Sequence, residues 1–150
     1  MGILYIMNLY LHRPIANGTG RVSQWFGEHP LWYDKFGISG HNGIDYAIPL
    51  NTPILAAHDG VVVKSAYDTK GYGNYIILRG TTGTQSFETI YAHLTNSLVE
   101  INQLVVAQQQ IGLSGNTGNS TGPHLHFGLR IIGMRNPAYN GYIDPVPFRG

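Results

Sequence analysis

The chain has 150 residues, enough for one domain to bury roughly 70% of the surface that its unfolded form exposes, so a stable core requires no disulfide. Its net charge is only +1 and it contains no cysteine. The charge therefore gives no general electrostatic argument for binding to nucleic acid or to an anionic membrane, and the lack of cysteine excludes thiolate metal ligands and cysteine nucleophiles. With 20 glycines, 10 tyrosines and only 11% charged residues, the composition favours strands and tight turns, and we expect an all-β or β-rich fold.

The apolar beginning of the chain, MGILYIMNLYLHRPI, predicts a first strand within an N-terminal extension over residues 1–21. This stretch is too short to span a bilayer, so we expect no transmembrane segment. It also lacks the positively charged start and the small-residue cleavage site of a secretory signal peptide.

After this extension, short apolar or alternating runs recur between turn signals, which is the pattern of an antiparallel sandwich or barrel. The runs are, in chain order, RVSQWF, GIDYAI, PILAA, GVVVKSAY, NYIILRG, QSFETIYAHL and LHFGLRII. GYGN at residues 71–74 predicts a hairpin turn, and NSLVEINQLVVAQQQ is the only plausible helix, although its β-branched residues argue against one. No linker or repeat divides the sequence, so we expect a single domain over residues 1–150.

Two short motifs place titratable residues at spacings that suit a metal site. In GHNGIDY, His41 and Asp45 would lie roughly 13 Å apart on a flat strand, so joint ligation requires the chain to curl at Gly43. In PHLHFGL, His124 and His126 project from one face of a predicted strand, about 6 to 7 Å apart at the backbone. The alternating apolar residues of this run face the core on the other side.

These motifs leave three interpretations open. A catalytic zinc usually has three protein ligands and one open position, which His41, Asp45 and either histidine of HLH would provide. Both histidines of HLH together would instead complete a closed structural tetrahedron. In the third interpretation HNGID is only a turn and HLH is only part of a sheet face. Spacing alone does not choose among them.

A hydrolytic site also needs a proton acceptor. The sequence has no HExxH motif, so the helical zinc-protease arrangement with a glutamate base is absent. A histidine is the natural substitute because its unperturbed pKa of about 6.5 lies near neutral pH, and His93 at the end of IYAHL is a candidate. The sequence also lacks a GxSxG elbow, a P-loop and a GxGxxG motif that opens a helix, which disfavours the corresponding hydrolase and nucleotide-binding classes.

Three motifs in this order, GHNGIDY, YAHL and GNTGNSTGPHLHF, resemble those of the M23 family of zinc metallopeptidases, the lysostaphin and LytM type of peptidoglycan endopeptidase. The likeness includes VSQWFGE, GYGNYIILR and YIDPVPF, and covers residues 22–148 as a family-like core. It implies a mostly antiparallel, sandwich-like β fold with an active-site groove along one sheet. The departures from the family pattern, which lie in turns and leave the implied ligands unchanged, are Asn51, Arg79, Asn102 and Ala107.

The resemblance also implies a role for each titratable residue of the motifs. His41, Asp45 and His126 would bind one zinc ion per chain. His93 and His124 would act on the attacking water and on the developing oxyanion.

Substrate contacts are implied for the loop HPLWYDKF. In some family members a tyrosine from the loop before the first motif assists the oxyanion, and Tyr33 is the nearest upstream tyrosine here. Trp32 and Phe36 are candidate contacts, although such aromatic residues can also simply pack onto a sheet. The remaining histidines are interpreted as structural: His12, His29 and His58.

The resulting prediction is a monomeric zinc endopeptidase that cleaves peptide bonds in the stems or cross-bridges of bacterial peptidoglycan. Because this substrate lies outside the cytoplasmic membrane, we expect a phage-delivered or virion-associated enzyme, a holin-released lysin or a trimmed secreted form. One alternative is a non-catalytic member of the same fold that activates other cell-wall hydrolases, although such proteins typically lack a ligand. The other is a pure cell-wall-binding module.

Overall fold

The computed structural model describes residues 8–150, and within them the protein folds around one extended antiparallel sheet. Its ten strands are β1 (Arg21–Gln24), β2 (Ile44–Ala47), β3 (Pro53–Leu55), β4 (Gly60–Asp68), β5 (Gly73–Thr82), β6 (Gln85–Ser97), β7 (Leu104–Val105), β8 (Gln110–Ser114), β9 (His124–Ile131) and β10 (Tyr142–Ile143). The helices in this part of the chain are single turns: α1 (Pro30–Tyr33) and the 3₁₀ helices Asp34–Phe36, Pro137–Tyr139 and Val146–Phe148. The predicted all-β, mostly antiparallel fold is confirmed.

The strands follow the order β1-β2-β9-β6-β5-β4-β7, with β10 paired to β9 and β8 paired to both β3 and β6. Strands β4, β5 and β6 are consecutive hairpins, and the predicted turn in GYGN belongs to the turn at residues 69–72. In that turn the Asp68 carboxylate accepts hydrogen bonds from the backbone amides of Lys70 and Tyr72, while Gly73 takes a φ of +62°. β9 lies between β2 and β6 and is therefore a central strand.

Strand β9 has the two faces that its sequence predicts. Leu125, Phe127 and Leu129 are fully buried and belong to the hydrophobic core. His124 and His126 project from the opposite face because successive side chains of a strand alternate. The core therefore holds β9 in place from one side and leaves its histidines on the other.

The pairing register aligns one row of residues across four strands. Gln24 of β1 lies opposite Asp45 of β2, Asp45 lies opposite His126 of β9, and His126 lies opposite Ala92 of β6. Directly opposed residues of antiparallel strands share a face and have their Cβ atoms about 5 Å apart. This row positions the candidate site described below.

Two predicted elements differ from the structure. The predicted N-terminal strand lies partly outside the described residues, and of residues 8–20 only Leu11 pairs, in an isolated parallel bridge with Arg149. The segment at residues 96–110 is not a helix but the end of β6, a turn, β7 and the start of β8. Its β-branched residues agree with this outcome, since they favour extended backbone.

His58 lies in a buried polar network, as its structural interpretation predicts. Its Nδ1 donates to the Asp59 carbonyl at 2.8 Å, and its Nε2 lies 2.7 Å from the Thr89 hydroxyl. That hydroxyl is hydrogen bonded to Tyr91, which in turn accepts from the amide of Ala57. Burial lowers the pKa of His58 below 6.5 despite the opposing hydrogen bond to Asp59.

This network predicts an acid-sensitive contribution to stability. Because burial depresses the pKa of folded His58, the unfolded chain binds the proton more readily. The contribution is therefore present above pH 6.5 and is lost as the pH falls below that value towards the folded pKa. The free energy of unfolding, measured by urea titration from pH 5 to 7.5, should fall more steeply with acidification in the wild type than in His58→Gln. One proton accounts for at most about 1.4 kcal/mol per pH unit, and parallel curves for the two proteins would contradict this interpretation.

Candidate metal centre and active site

The structure brings His41, Asp45 and His126 into one buried cluster that could hold a metal ion. Asp45 and His126 come from paired positions of β2 and β9, whereas His41 comes from the irregular segment before β2. The chain bends at Gly43, so His41 and Asp45 do not have the separation that a flat strand would impose. The curl that joint ligation requires is present.

Three ligand atoms of this cluster form a nearly equilateral triangle. The His41 Nε2 lies 3.0 Å from the Asp45 Oδ1, the Oδ1 lies 3.2 Å from the His126 Nδ1, and the two nitrogens are 3.1 Å apart. A tetrahedral zinc with ligand bonds of about 2.0–2.1 Å requires ligand separations of about 3.3 Å. The triangle therefore has the size of one face of such a tetrahedron.

The protonation pattern also fits a cation. His41 donates from Nδ1 to the Trp25 carbonyl at 3.1 Å, which leaves Nε2 as the ring nitrogen that faces the triangle. Burial alone would raise the pKa of Asp45, but its close contacts with the His126 and His41 rings outweigh burial and hold the pKa well below its usual range. A carboxylate and two imidazoles form a donor set that divalent zinc accepts.

The glycine in HNGID has a steric role. A Cβ atom at Gly43 would lie 2.7 Å from the His126 Cε1 and 2.5 Å from the Phe127 carbonyl oxygen. Only glycine lets the bend approach β9 this closely, and the close approach brings His41 to the triangle.

His93 and His124 lie beside the cluster on the same face of the sheet, with ring centroids 4.6 Å apart. Each ring has its Nδ1 within 2.8 Å of a backbone carbonyl, that of Thr117 for His93 and that of Gly122 for His124. When Nδ1 carries the proton, Nε2 presents a lone pair, and the Nε2 of His124 lies 3.6 Å from the Asp45 Oδ2.

Burial and the nearby histidines His126 and His124 lower the pKa of His93 to about 4. His93 is thus neutral at physiological pH. Its backbone φ of +63° is uncommon for a residue with a side chain. It coincides with an irregularity in the pairing of β6 with β5 that redirects the strand at this point.

A groove of about 620 Å³ runs over the cluster and is lined by all five histidine and aspartate residues above. Tyr33, Trp32 and Phe36 also line it, and they lie on α1 and the following 3₁₀ helix. The Tyr33 ring lies 5.4 Å from the ring of His41. Burial, and next the charge of Asp45, raise the pKa of Tyr33, so its hydroxyl remains protonated.

The remaining histidines lie apart from the cluster. His29 stacks on Trp32 with ring centroids 3.8 Å apart and is not among the groove-lining residues. His12 lies 3.2 Å from the Gln108 amide at a separate cavity near residue 150.

Sequence reasoning missed three groove residues. Gln24 accepts a hydrogen bond from the Tyr33 hydroxyl at 2.8 Å, and Asn42 donates one to the Tyr72 hydroxyl at 3.1 Å. The Tyr72 ring lies 5.5 Å from the ring of His126. The position of Asn42 next to His41 was an available signal. The position of Gln24 in the groove could be predicted only from the strand register. The glycines around Tyr72 predict a turn but do not indicate where the Tyr72 side chain points.

Comparison with known proteins identifies relatives of this chain. The model of peptidase family M23 matches residues 39–144. Over 114 residues the chain is 44% identical to the peptidoglycan DD-endopeptidase ShyA of Vibrio cholerae, covering 75% of this chain and 25% of ShyA. The chain thus spans about a quarter of the length of that relative.

Solved structures agree with this match. A zinc-containing peptidase from Vibrio cholerae superposes with a TM-score of 0.72 at 30% identity, covering 91% of this chain and 39% of the other. The catalytic domain of lysostaphin from Staphylococcus simulans superposes with a TM-score of 0.72 at 32% identity, covering 86% and 91% respectively. Within residues 8–150, no helix has the length and apolar character that crossing a bilayer requires.

The glycine bend predicts a selective loss of metal. Gly43→Ala should bind Zn²⁺ at least tenfold more weakly than the wild type, because the added methyl group forces β9 or His126 away from the triangle. Gly122→Ala is a matched control, since a Cβ there has no atom within 4 Å. Zn²⁺ affinity is measured by competition with a chromogenic chelator. Equal affinity of the two variants would contradict the steric role of Gly43.

Proposed function

Because this chain belongs to peptidase family M23, we propose that it is a zinc-dependent endopeptidase that hydrolyses peptide bonds in the stems or cross-bridges of bacterial peptidoglycan. The observation that carries the proposal is the triangle of His41 Nε2, Asp45 Oδ1 and His126 Nδ1 on the floor of a groove. The names of ShyA and of the zinc-containing Vibrio peptidase support the substrate and the metal respectively. Residues 1–150 are proposed to form a single peptidase domain with its family-like core over residues 22–148, acting as a monomer at the bacterial cell wall.

The three atoms of the triangle would hold the zinc. When bound, zinc supplies Lewis acidity, which polarises a peptide carbonyl and makes water a competent nucleophile near neutral pH. Two neutral imidazoles and one carboxylate leave such a centre with a formal charge of +1, which favours an oxyanion.

His124 is proposed to accept the proton of the attacking water. The Gly122 carbonyl accepts a hydrogen bond from the His124 Nδ1, so the Nε2 lone pair is available, and this nitrogen lies 3.6 Å from an oxygen of the proposed ligand Asp45. Once protonated, the same nitrogen can donate to the leaving amine.

His93 is proposed to orient the water rather than to accept its proton. A pKa lowered to about 4 makes His93 a weak base, but its neutral Nε2 can still accept a hydrogen bond. The Thr117 carbonyl at 2.8 Å fixes the ring orientation. Tyr33, which also lines the groove, is proposed to donate its hydroxyl proton to the oxyanion.

Purified peptidoglycan is the direct test of this function. The protein should release new free amines from it, and prior removal of metal with a chelator should reduce the release to background, with recovery on addition of one equivalent of Zn²⁺. Mass spectrometry of the muropeptides then identifies the cleaved bond. Wall binding without amine release would favour a non-catalytic module instead, and release unaffected by metal removal would contradict the proposed zinc dependence.

The two histidines of HLH should differ in what their loss removes. His126→Ala should lose both metal and activity, because it removes one vertex of the triangle. His124→Ala should retain one zinc per chain and lose about 10²- to 10⁴-fold in kcat, the usual contribution of a general base. Metal content by emission spectroscopy and amine release on the same samples separate the two outcomes. Equal loss of metal in both variants would contradict this division of roles.

A further inference from the structure

Gln24 is the one buried residue of β1, and its side chain lines the groove. The strand register places it directly opposite Asp45. Its Oε1 accepts the hydroxyl proton of Tyr33 at 2.8 Å. Gln24 therefore connects Tyr33 to the row of opposed strand residues that contains Asp45 and His126.

The other end of the same amide has no hydrogen-bond partner among residues 8–150. The Gln24 Nε2 is buried, and buried donors without acceptors are rare in native proteins because their desolvation is uncompensated. Rotating the terminal amide by half a turn would let Nε2 donate to the Tyr33 oxygen and would leave Oε1 unpartnered instead. Each orientation has one hydrogen bond and one unpartnered atom, so the two orientations are similar in hydrogen-bond energy.

The two orientations differ in what they do to Tyr33. In the observed orientation the hydroxyl proton of Tyr33 is donated to Gln24 and is unavailable to a substrate. In the rotated orientation the Tyr33 oxygen accepts from Gln24, and the hydroxyl proton is free to be donated into the groove. In both amide orientations the Tyr33 ring lies beside the candidate metal ligands, because it packs near the His41 ring at a centroid distance of 5.4 Å.

We propose that Gln24 is a positioning residue whose amide rotation switches the Tyr33 hydroxyl between a state held by Gln24 and a state that donates to the substrate oxygen. The proposal rests on the proposed function, since it assigns Gln24 to the same hydrolytic site. Gln24 acts through Tyr33 and does not itself touch the reacting atoms.

Two substitutions separate the two hydrogen-bonding capacities of Gln24. Gln24→Met cannot hydrogen-bond strongly, so Tyr33 is no longer oriented and kcat should fall roughly tenfold with KM unchanged. The ionised side chain in Gln24→Glu accepts hydrogen bonds but donates none. It should therefore hold the Tyr33 hydroxyl proton permanently and lower kcat further, up to about 100-fold. In a Tyr33→Phe background both substitutions should change kcat by less than about twofold, because the hydroxyl on which they act is absent.

Gln85→Met is the matched control for a purely structural role. Gln85 is also buried and has an unpartnered Oε1, but it is not among the residues that line the groove. Its replacement should lower the melting temperature without changing kcat. Zinc content should stay at one per chain in all variants.

A second measurement does not depend on turnover. Affinity for a phosphinate peptide, a tetrahedral mimic of the hydrolysing bond, should weaken in Gln24→Met and in Tyr33→Phe without further loss in the double variant. Full kcat in Gln24→Met, or equal effects of the Gln24 substitutions with and without the Tyr33 hydroxyl, would overturn this inference alone. A zinc-loaded wild type that neither cleaves peptidoglycan nor binds the phosphinate would overturn the proposed function, and the role of Gln24 with it.

Discussion

The candidate site depends on the register of four antiparallel strands. Gln24, Asp45, His126 and Ala92 occupy successive opposed positions across β1, β2, β9 and β6. A slip of one residue in any of these pairings would turn the affected side chain to the other face of the sheet. A slip of β9 would expose the apolar residues buried on its other face. The free energy of burying those residues therefore also fixes the register of the polar row.

Within that register, a nitrogen of His41, a nitrogen of His126 and an oxygen of Asp45 face one another at hydrogen-bonding distances. The His41 Nε2 and the Asp45 Oδ1 are 3.0 Å apart, although the proton of the His41 ring is donated to the Trp25 carbonyl. This convergence of three ligand atoms suits a divalent cation, and because a cation would bind the folded state rather than the unfolded chain, its binding should be coupled to the stability of the folded state.

Sequence reasoning succeeded where the information is local. The alternation in LHFGL gives the two faces of β9, and the glycine in HNGID gives a bend that brings His41 to Asp45. Spacing could not separate the roles of His124 and His126, because both project from one face. Their difference arises from neighbours distant in sequence: His126 approaches His41 and Asp45, whereas the Nε2 of His124 lies 3.6 Å from the second oxygen of Asp45. Gln24 and Tyr72 were missed for the same reason, since their partners are set by strand pairing and by a turn.

Asp45 links the cluster of candidate metal ligands to the proposed base His124 through its two carboxylate oxygens. Oδ1 belongs to the triangle with His41 and His126, and Oδ2 is the oxygen that His124 approaches. One carboxylate is therefore shared between the three residues that would hold a metal ion and the residue proposed as the base. The same carboxylate lies opposite Gln24 in the sheet. The short pairing of β1 with β2 therefore places Gln24, which holds the Tyr33 hydroxyl, beside the proposed metal ligand Asp45, while the pairing of β2 with β9 brings the proposed base His124 to the same face.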